Sequence, residues 1–243
     1  MNWTAKLRPT GHTQTPAVSA RNKPSPVTAA GGAAAAATAA ASANVRVSNG
    51  LKEFLWLLSD VDQPRILDLG NVSQATLNYF IQKGFRISTE DILRSWKGFI
   101  AAEEDSLRRM APGEESERVS QVSLAEKFLS ESVRYGDESF NGILVWDLLD
   151  YLDSAMVPRL MDRLFEILRP GGVVLSMFHS RTPERYHRYR VLENNSIEMV
   201  PAATISVHAR IFQNREILDL FGKFRSSKTF VARDQLREAL FLK

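Results

Sequence analysis

Residues 64–70 read Pro-Arg-Ile-Leu-Asp-Leu-Gly, and Asp91 follows about twenty residues later. A short apolar run ends in an acid, a lone glycine comes next, and the hydrophobic spacing then changes to a helical period. In a doubly wound α/β sheet a strand delivers its carboxyl end to a nucleotide-like ligand in this way. A second run, Phe85-Arg86-Ile87-Ser88, leads to Glu90 and Asp91, where a carboxylate accepts hydrogen bonds from both hydroxyls of a ribose. Between the runs, Ser73 is a helix cap. Leu77, Phe80 and Ile81 form an i, i+3, i+4 stripe expected to face the sheet, and Gly84 suits a left-handed helix end. The segment reads as a right-handed βαβ unit.

On these residues the segment from Arg65 to Asp91 resembles motif I and the acidic post-I position of class I S-adenosylmethionine-dependent methyltransferases. The resemblance implies an α/β fold: a doubly wound, Rossmann-like, mostly parallel sheet with one antiparallel strand near the C-terminus. It implies S-adenosyl-L-methionine as cofactor. Asp68 and the Gly70–Asn71 turn are then assigned to the methionine end of the cofactor and Asp91 to its ribose, with Glu90 as the substitute if the strand register slips by one. Val72 and Gln74 depart from the pattern, because the family has glycines there. Val72 is β-branched and resists positive φ, so the turn is expected to run differently or the cofactor to sit farther out. A dinucleotide-binding reading wants Gly-x-Gly-x-x-Gly after the first strand, and only Gly70 is present.

Elsewhere the order of elements matters more than any motif. A helix is expected from near Ser48, with Leu51, Phe54, Leu55 and Leu58 on one side. Glu103-Glu104-Asp105 and Pro112-Gly113-Glu114-Glu115 read as a solvated loop. Ser123-Leu124-Ala125-Glu126 reads as a capping box opening a helix toward Glu131. No third strand is legible between Asp91 and Phe140. Phe140 to Asp147 is a buried parallel strand ending in an acid. With Leu148-Leu149-Asp150-Tyr151-Leu152 it resembles the family's motif IV region, which sets Asp147 beside the transferable methyl group or the substrate. Trp146 and Leu148 are then expected to line the pocket. Val157, Leu160, Met161, Leu164, Phe165 and Leu168 form an amphipathic stripe. A Leu168-Arg169-Pro170-Gly171-Gly172 turn leads to strand 173–177. Asn214 is expected to cap a helix through Leu220 and Phe221, and residues 229–231 and 238–241 to supply the terminal strand pair.

The first 46 residues are rich in Ala, Ser, Thr and Pro and are expected to be a disordered tail before a domain spanning 47–243. Five of the 31 basic residues and none of the 28 acidic ones lie in that tail, leaving 26 basic against 28 acidic in the rest. The basic balance thus belongs to the tail and predicts no nucleic-acid footprint on the fold. The alanine tract lacks the Leu-rich core of a secretory signal, and no run has the length of a membrane span. An acid-free basic tail also fits a transit peptide, but a solvated tail on a cytoplasmic enzyme is preferred. With no cysteine, thiolate nucleophiles and Cys-based metal sites are excluded, and the histidines lack metal-ligand spacing.

The acceptor is read by elimination. No Asn/Asp-Pro-Pro-Tyr/Phe follows the fourth strand, no thiolate is available for C5-pyrimidine chemistry, and no His/Asp set suits a Mg²⁺-dependent catechol reaction. A small molecule remains. Tyr151 and His179 are the substrate-side candidates at the sheet's carboxyl edge, His179 as a general base or as a loop histidine held by hydrogen bonds. Arg181, Arg185, His187, Arg188 and Arg190 interleave with Tyr186 and Tyr189. They fit recognition of an anionic or aromatic acceptor, or nucleic acid, but the preferred reading is a solvated connection into a hairpin about Asn194-Asn195. Two rival functions stay open: a catalytically silent relative that keeps the sheet for binding, and an RNA methyltransferase.

Overall fold

The computed structural model describes residues 44–109, 120–202, 209–231 and 236–243. The chain starts with strand β1 (Val45–Val47) and helix α1 (Asn49–Leu57). The first crossover is β2 (Arg65–Asp68), α2 (Gln74–Gln82) and β3 (Arg86–Thr89). Helices α3 (Ile92–Arg109) and α4 (Gln121–Ser132) precede β4 (Phe140–Trp146) and a 3₁₀ turn, Leu148–Tyr151. Then come α5 (Met156–Ile167), β5 (Leu168–His179), β6 (His187–Leu192), β7 (Ser196–Pro201), α6 (Asn214–Leu220), β8 (Ser226–Val231) and β9 (Leu236–Leu242).

Six strands form one sheet in the order β3-β2-β4-β5-β9-β8. The first four are parallel, and β9 alone runs against its neighbours β5 and β8. The expected mostly parallel sheet with one antiparallel strand is thus present. Side chains alternate across it: Ile66, Val173 and Leu175 pack under α1 and α2, whereas Leu67, Val174 and Phe178 pack under α3–α6. The order reverses at β2, which pairs with β3 on one side and β4 on the other. A crevice opens at such a switch point, outside the carboxyl ends of the strands.

A second sheet, β1-β7-β6, is antiparallel throughout. Its hairpin turns at Asn194 and Asn195, both at φ near +57°, the type I′ geometry that asparagine tolerates. The turn is tied to the body by Tyr79 Oη donating to Asn195 Oδ1 (3.1 Å) and Ser48 N to the Asn195 carbonyl (2.9 Å). Val191 N donates to Thr76 Oγ1 at 3.0 Å.

These ties explain where the sequence reading of α2 misses. The buried face is Thr76, Tyr79 and Phe80, while Ile81 is exposed. The helix rolls to meet the hairpin as well as the large sheet, and Tyr79 takes the place expected for Ile81. Glu103–Asp105 lie in α3, not in a loop. They occupy its solvent-facing half, where Glu104 and Asp105 pair with Arg108 and Glu103 with Lys127, so charge there marks an exposed helix face. Pro112–Glu115 fall outside the described residues. The cap of α4 is Ser120, accepting from Ser123 N, and that of α6 is Gln213, in a capping box with Glu216; the expected caps Ser123 and Asn214 are each inside the helix. Leu168 to Gly172 belong to β5 rather than to a preceding turn. Between Asp91 and Phe140 the described residues form α3 and α4, and β3 is at the edge of the sheet.

Val45 and Arg46 stand in β1, on the tail side of the boundary expected after residue 46; the rest of the expected tail to residue 43 lies outside the described residues. Arg46 pairs with Glu238, a fully buried carboxylate on β9 that also accepts from Ser48 Oγ (3.0 Å) and Gly50 N. Ser48 Oγ meanwhile accepts from Leu51 N and caps α1. An acid at a helix N-terminus is favoured by the free backbone N–H groups, and here it joins the two sheets. Replacing one partner of a buried pair leaves the other uncompensated. Arg46→Ala is therefore expected to lower unfolding stability by about 3–5 kcal/mol, read from chemical denaturation.

Candidate active site

Asp68 ends β2 with its side chain buried. Its Oδ1 accepts from Trp146 Nε1 at 2.6 Å and from Gly70 N at 2.9 Å. A Cβ on Gly70 would stand 2.6 Å from Trp146 Cδ1, so a larger residue would push the indole away. Asn71 reaches across the rim, its Nδ2 donating to Asp91 Oδ2 at 2.8 Å. Asp91 Oδ1 accepts from Arg94 N at 3.2 Å, which helps to cap α3. Two acids from neighbouring strands thus meet across the Gly70–Asn71 turn, as the spacing predicts. Glu90 is engaged elsewhere, by the Tyr135 hydroxyl at 2.7 Å.

The two missing glycines leave the turn intact. Val72 points outward, 54% exposed, and Gln74 bonds Asn78 within α2. Neither adopts positive φ, so the turn takes a path that needs no glycine at those places.

The strained residue is Trp146, at φ +56°, a region that disfavours bulky side chains. It follows an irregularity in the β4–β5 pairing between Leu144 and Trp146, a common device for re-aiming a side chain next to a site. Its indole lies flat on the Tyr189 ring, with centroids 5.2 Å apart and planes within 1°. The Tyr189 hydroxyl donates to Asp147 Oδ2 at 2.9 Å. Leu148 is buried directly beyond.

Asp150, in the 3₁₀ turn, holds His179 at the end of β5. Its Oδ2 accepts from His179 N (2.8 Å) and faces Nδ1 (2.9 Å), while His179 Nε2 lies 3.8 Å from Asp147 Oδ2. Tyr151 packs edge-on against His179 and Tyr186. His179, Asp147, Tyr151 and Trp146, chosen from sequence, are therefore brought together. Asp150 and Tyr189 were missed. An acid inside the apolar run 148–152 was the available signal for Asp150, since a buried carboxylate requires donors. The connection read as solvated is divided: Arg181, Arg185, Arg188 and Arg190 are exposed, Tyr186 is half-buried and Tyr189 is buried.

Burial dominates the electrostatics. It raises Asp68 to about 6, against the bonds from Trp146 and Gly70, and Asp147 to about 7, against His179 and the Tyr189 hydroxyl. Asp150 is raised as well, chiefly by burial. Among the described residues no group of His, Asp or Glu is placed to hold a metal ion, and no helix is long and apolar enough to cross a membrane.

The sheet order, the acids at its switch point and the further acid after β4 make up a Rossmann-like α/β fold with a candidate site at its carboxyl edge. A family model described as a methyltransferase domain matches residues 40–224. The chain belongs to the methyltransferase-domain family. No curated protein matches it. Solved structures similar to it include a SAM-dependent methyltransferase of Methanosarcina mazei, 14% identical over 81% of this chain and 98% of that one, with a TM-score of 0.43. Another is the 1,6-didemethyltoxoflavin-N1-methyltransferase of Burkholderia thailandensis, 16% identical over 90% and 92%, with a TM-score of 0.41. A SAM-dependent methyltransferase of Archaeoglobus fulgidus is 12% identical over 79% and 93%, with a TM-score of 0.44.

The donor set suits the S-adenosyl-L-methionine that the sequence resemblance implies. A carboxylate has about four acceptor sites, and the two protein donors on Asp91 leave capacity for a diol. Space is another matter: the crevice lined by Gly70, Asn71, Trp146, Asp147, Tyr186 and Tyr189 holds about 10 Å³, room for roughly one water. Larger cavities lie elsewhere, such as one of about 500 Å³ between α5 and α6.

Raised carboxyl pKa values have a consequence for stability. Asp68 and Asp147 are at about 6 and 7 in the fold and at 3.8 when free. Between these values the folded chain binds more protons than the unfolded one. Their stabilisation is full below about pH 4 and is lost as pH rises through 6 and 7. Asp147→Asn is expected to gain thermal stability relative to the unchanged protein between pH 4 and pH 8, measured as the difference in Tm at each pH.

Proposed function

We propose that this methyltransferase acts on a small acceptor whose nucleophilic oxygen or nitrogen carries a proton. The observation behind the reading is that Asp68, bonded by Gly70 N, and Asp91, bonded by Asn71, flank the Gly70–Asn71 turn, with the His179–Asp150 pair at the carboxyl edge of the same sheet. Asp68 and the Gly70–Asn71 turn orient the amino-acid end of the cofactor, and Asp91 receives its ribose hydroxyls. The sulfonium of the bound cofactor supplies an already electrophilic methyl group.

What remains for the protein is to hold the acceptor in line, exclude water and take a proton. Asp150 accepts the Nδ1 proton of neutral His179, which leaves Nε2 as the basic nitrogen. That nitrogen lies 3.8 Å from Asp147 Oδ2, and in this reading it removes the acceptor's proton as the acceptor's lone pair engages the methyl group. A small acceptor is favoured because these groups are enclosed: Asp147 is 2% exposed and Asp150 fully buried. A macromolecule would need them at the surface.

Binding of S-adenosylhomocysteine, followed by titration calorimetry, tests the cofactor assignment. Asp91→Ala removes a charged acceptor, and hydrogen bonds to charged groups contribute about 1.5–3 kcal/mol, so affinity is expected to fall about 10- to 100-fold. An unchanged affinity would remove Asp91 from the site. For the dyad, Asp150→Asn is expected to depress turnover and change the pH–rate profile once an acceptor has been found by screening O–H and N–H compounds with labelled cofactor. A profile identical to that of the unchanged protein would sink the base assignment.

A further inference from the structure

The connection between β5 and β6 carries positive charge that the reaction as described does not use. Between Ser180 and Leu192 stand Arg181, Arg185, Arg188 and Arg190 against a single acid, Glu184. Arg190 is paired with Glu198 across the hairpin, as Arg210 is with Glu216 near α6. Arg181, Arg185 and Arg188 are exposed, and among the described residues none of them has a carboxylate within ion-pair distance.

Two of the three stand at the site. Arg188 lines the crevice together with Asn71, Asp147, Tyr186 and His187, and it is the one lysine or arginine in that lining. Tyr186 packs edge-on against Tyr151 at 5.0 Å. Burial raises its hydroxyl, Asp147 and Asp91 add to the rise, and the charge of Arg188 opposes them. Arg185 is the neighbour of His187, whose imidazole is held below its ordinary value by burial first and then by the charges of His179 and Arg185. His187 is therefore neutral at pH 7, and the positive charge beside His179 belongs to the arginines.

We propose that Arg185 and Arg188 form an anion subsite at the edge of the active site, and that the acceptor is a small molecule with a carboxylate or phosphate remote from its nucleophile. The inference rests on the reading of the site given above and adds to it the charge and orientation of the substrate. A guanidinium is a planar fork that binds either oxyanion through two parallel bonds. Asp147, Asp150 and Asp91 crowd the interior, so an anionic group is repelled there and held at the arginines, while the protonated nucleophile turns inward to His179. A neutral acceptor leaves both cations unused, and a cationic one is turned away by them. Unmatched cations beside a cleft also steer an anion in from solution. A nucleic acid would need phosphate contacts well beyond two side chains, on a body whose acids outnumber its bases.

The test uses the full chain with S-adenosylhomocysteine present, and benzoate, phenyl phosphate and benzamide as probes followed by ligand-observed NMR titration. One or both anions are expected to bind at least about tenfold more tightly than benzamide, and the preference between them names the acceptor's charged group. Arg185→Gln and Arg188→Gln are each expected to weaken the favoured anion about tenfold, with Arg190→Gln and the affinity for S-adenosylhomocysteine unchanged. Benzamide binding as tightly as both anions, no response to any probe, or an equal loss in Arg190→Gln would overturn the subsite. An oligouridylate binding more tightly than phenyl phosphate would overturn the small acceptor. Absence of S-adenosylhomocysteine binding to the unchanged protein would instead overturn the cofactor reading beneath the inference. Probe binding is read without turnover, so it stands apart from the pH–rate test of His179. The comparison of anions with benzamide needs no substitution and refutes the subsite even where a variant does not fold.

Discussion

The indole N–H of Trp146 joins the ends of the two strands that flank the switch point, and the arrangement of the crevice follows from that bond. Asp68 is buried, and a buried acid needs donors. One comes from the backbone of the turn it begins and the other from an indole two strands of chain away. To supply it, Trp146 takes a backbone conformation that costs on the order of 1–3 kcal/mol. The bond to Asp68, the stacking on Tyr189 and the irregularity in β4–β5 pairing hold it there. The next residue, Asp147, is thereby turned toward His179 and Tyr189. A single strained residue positions the acid on either side of the crevice.

Glu238 has a comparable role two strands away from β4, on β9. It binds β1 through Arg46, the start of α1 through Ser48 and Gly50, and belongs itself to the middle of the large sheet. Ser48 also contacts Asn195 in the hairpin turn. The small sheet is thus fixed at one end by a network of buried charge and hydrogen bonds, and near the crevice by aromatic packing and one phenol bond.

The sequence made most of the fold legible because strand and helix periods differ sharply in this chain. Runs such as Ile66–Leu69 and Ile143–Val145, and the stripe from Val157 to Leu164, have only one regular placement each. Helix starts were less accurate. Ser120 and Ser123 are chemically equivalent caps, and the choice between them depends on where Ala125 and Phe128 reach the core. Long-range polar contacts were invisible. Arg46 looked like one more basic residue of the tail because its partner lies 192 positions away. Asp68, Asp91, Asp147 and His179 were legible since strand ends converge by topology alone. Tyr189 was not, because only the three-dimensional course of the hairpin brings its ring onto Trp146.

One further consequence concerns assembly rather than chemistry. β9 is central, bonded by β5 on one side and β8 on the other, although it holds residues 236–242. During synthesis from the N-terminus, the edge of β5 and the guanidinium of Arg46 lack their partner until β9 has emerged from the ribosome. Non-local pairing of this kind is slow, and unpaired strand edges invite association with other chains. Until β9 is made, the edge of β5 is the part of the nascent polypeptide open to association with other chains.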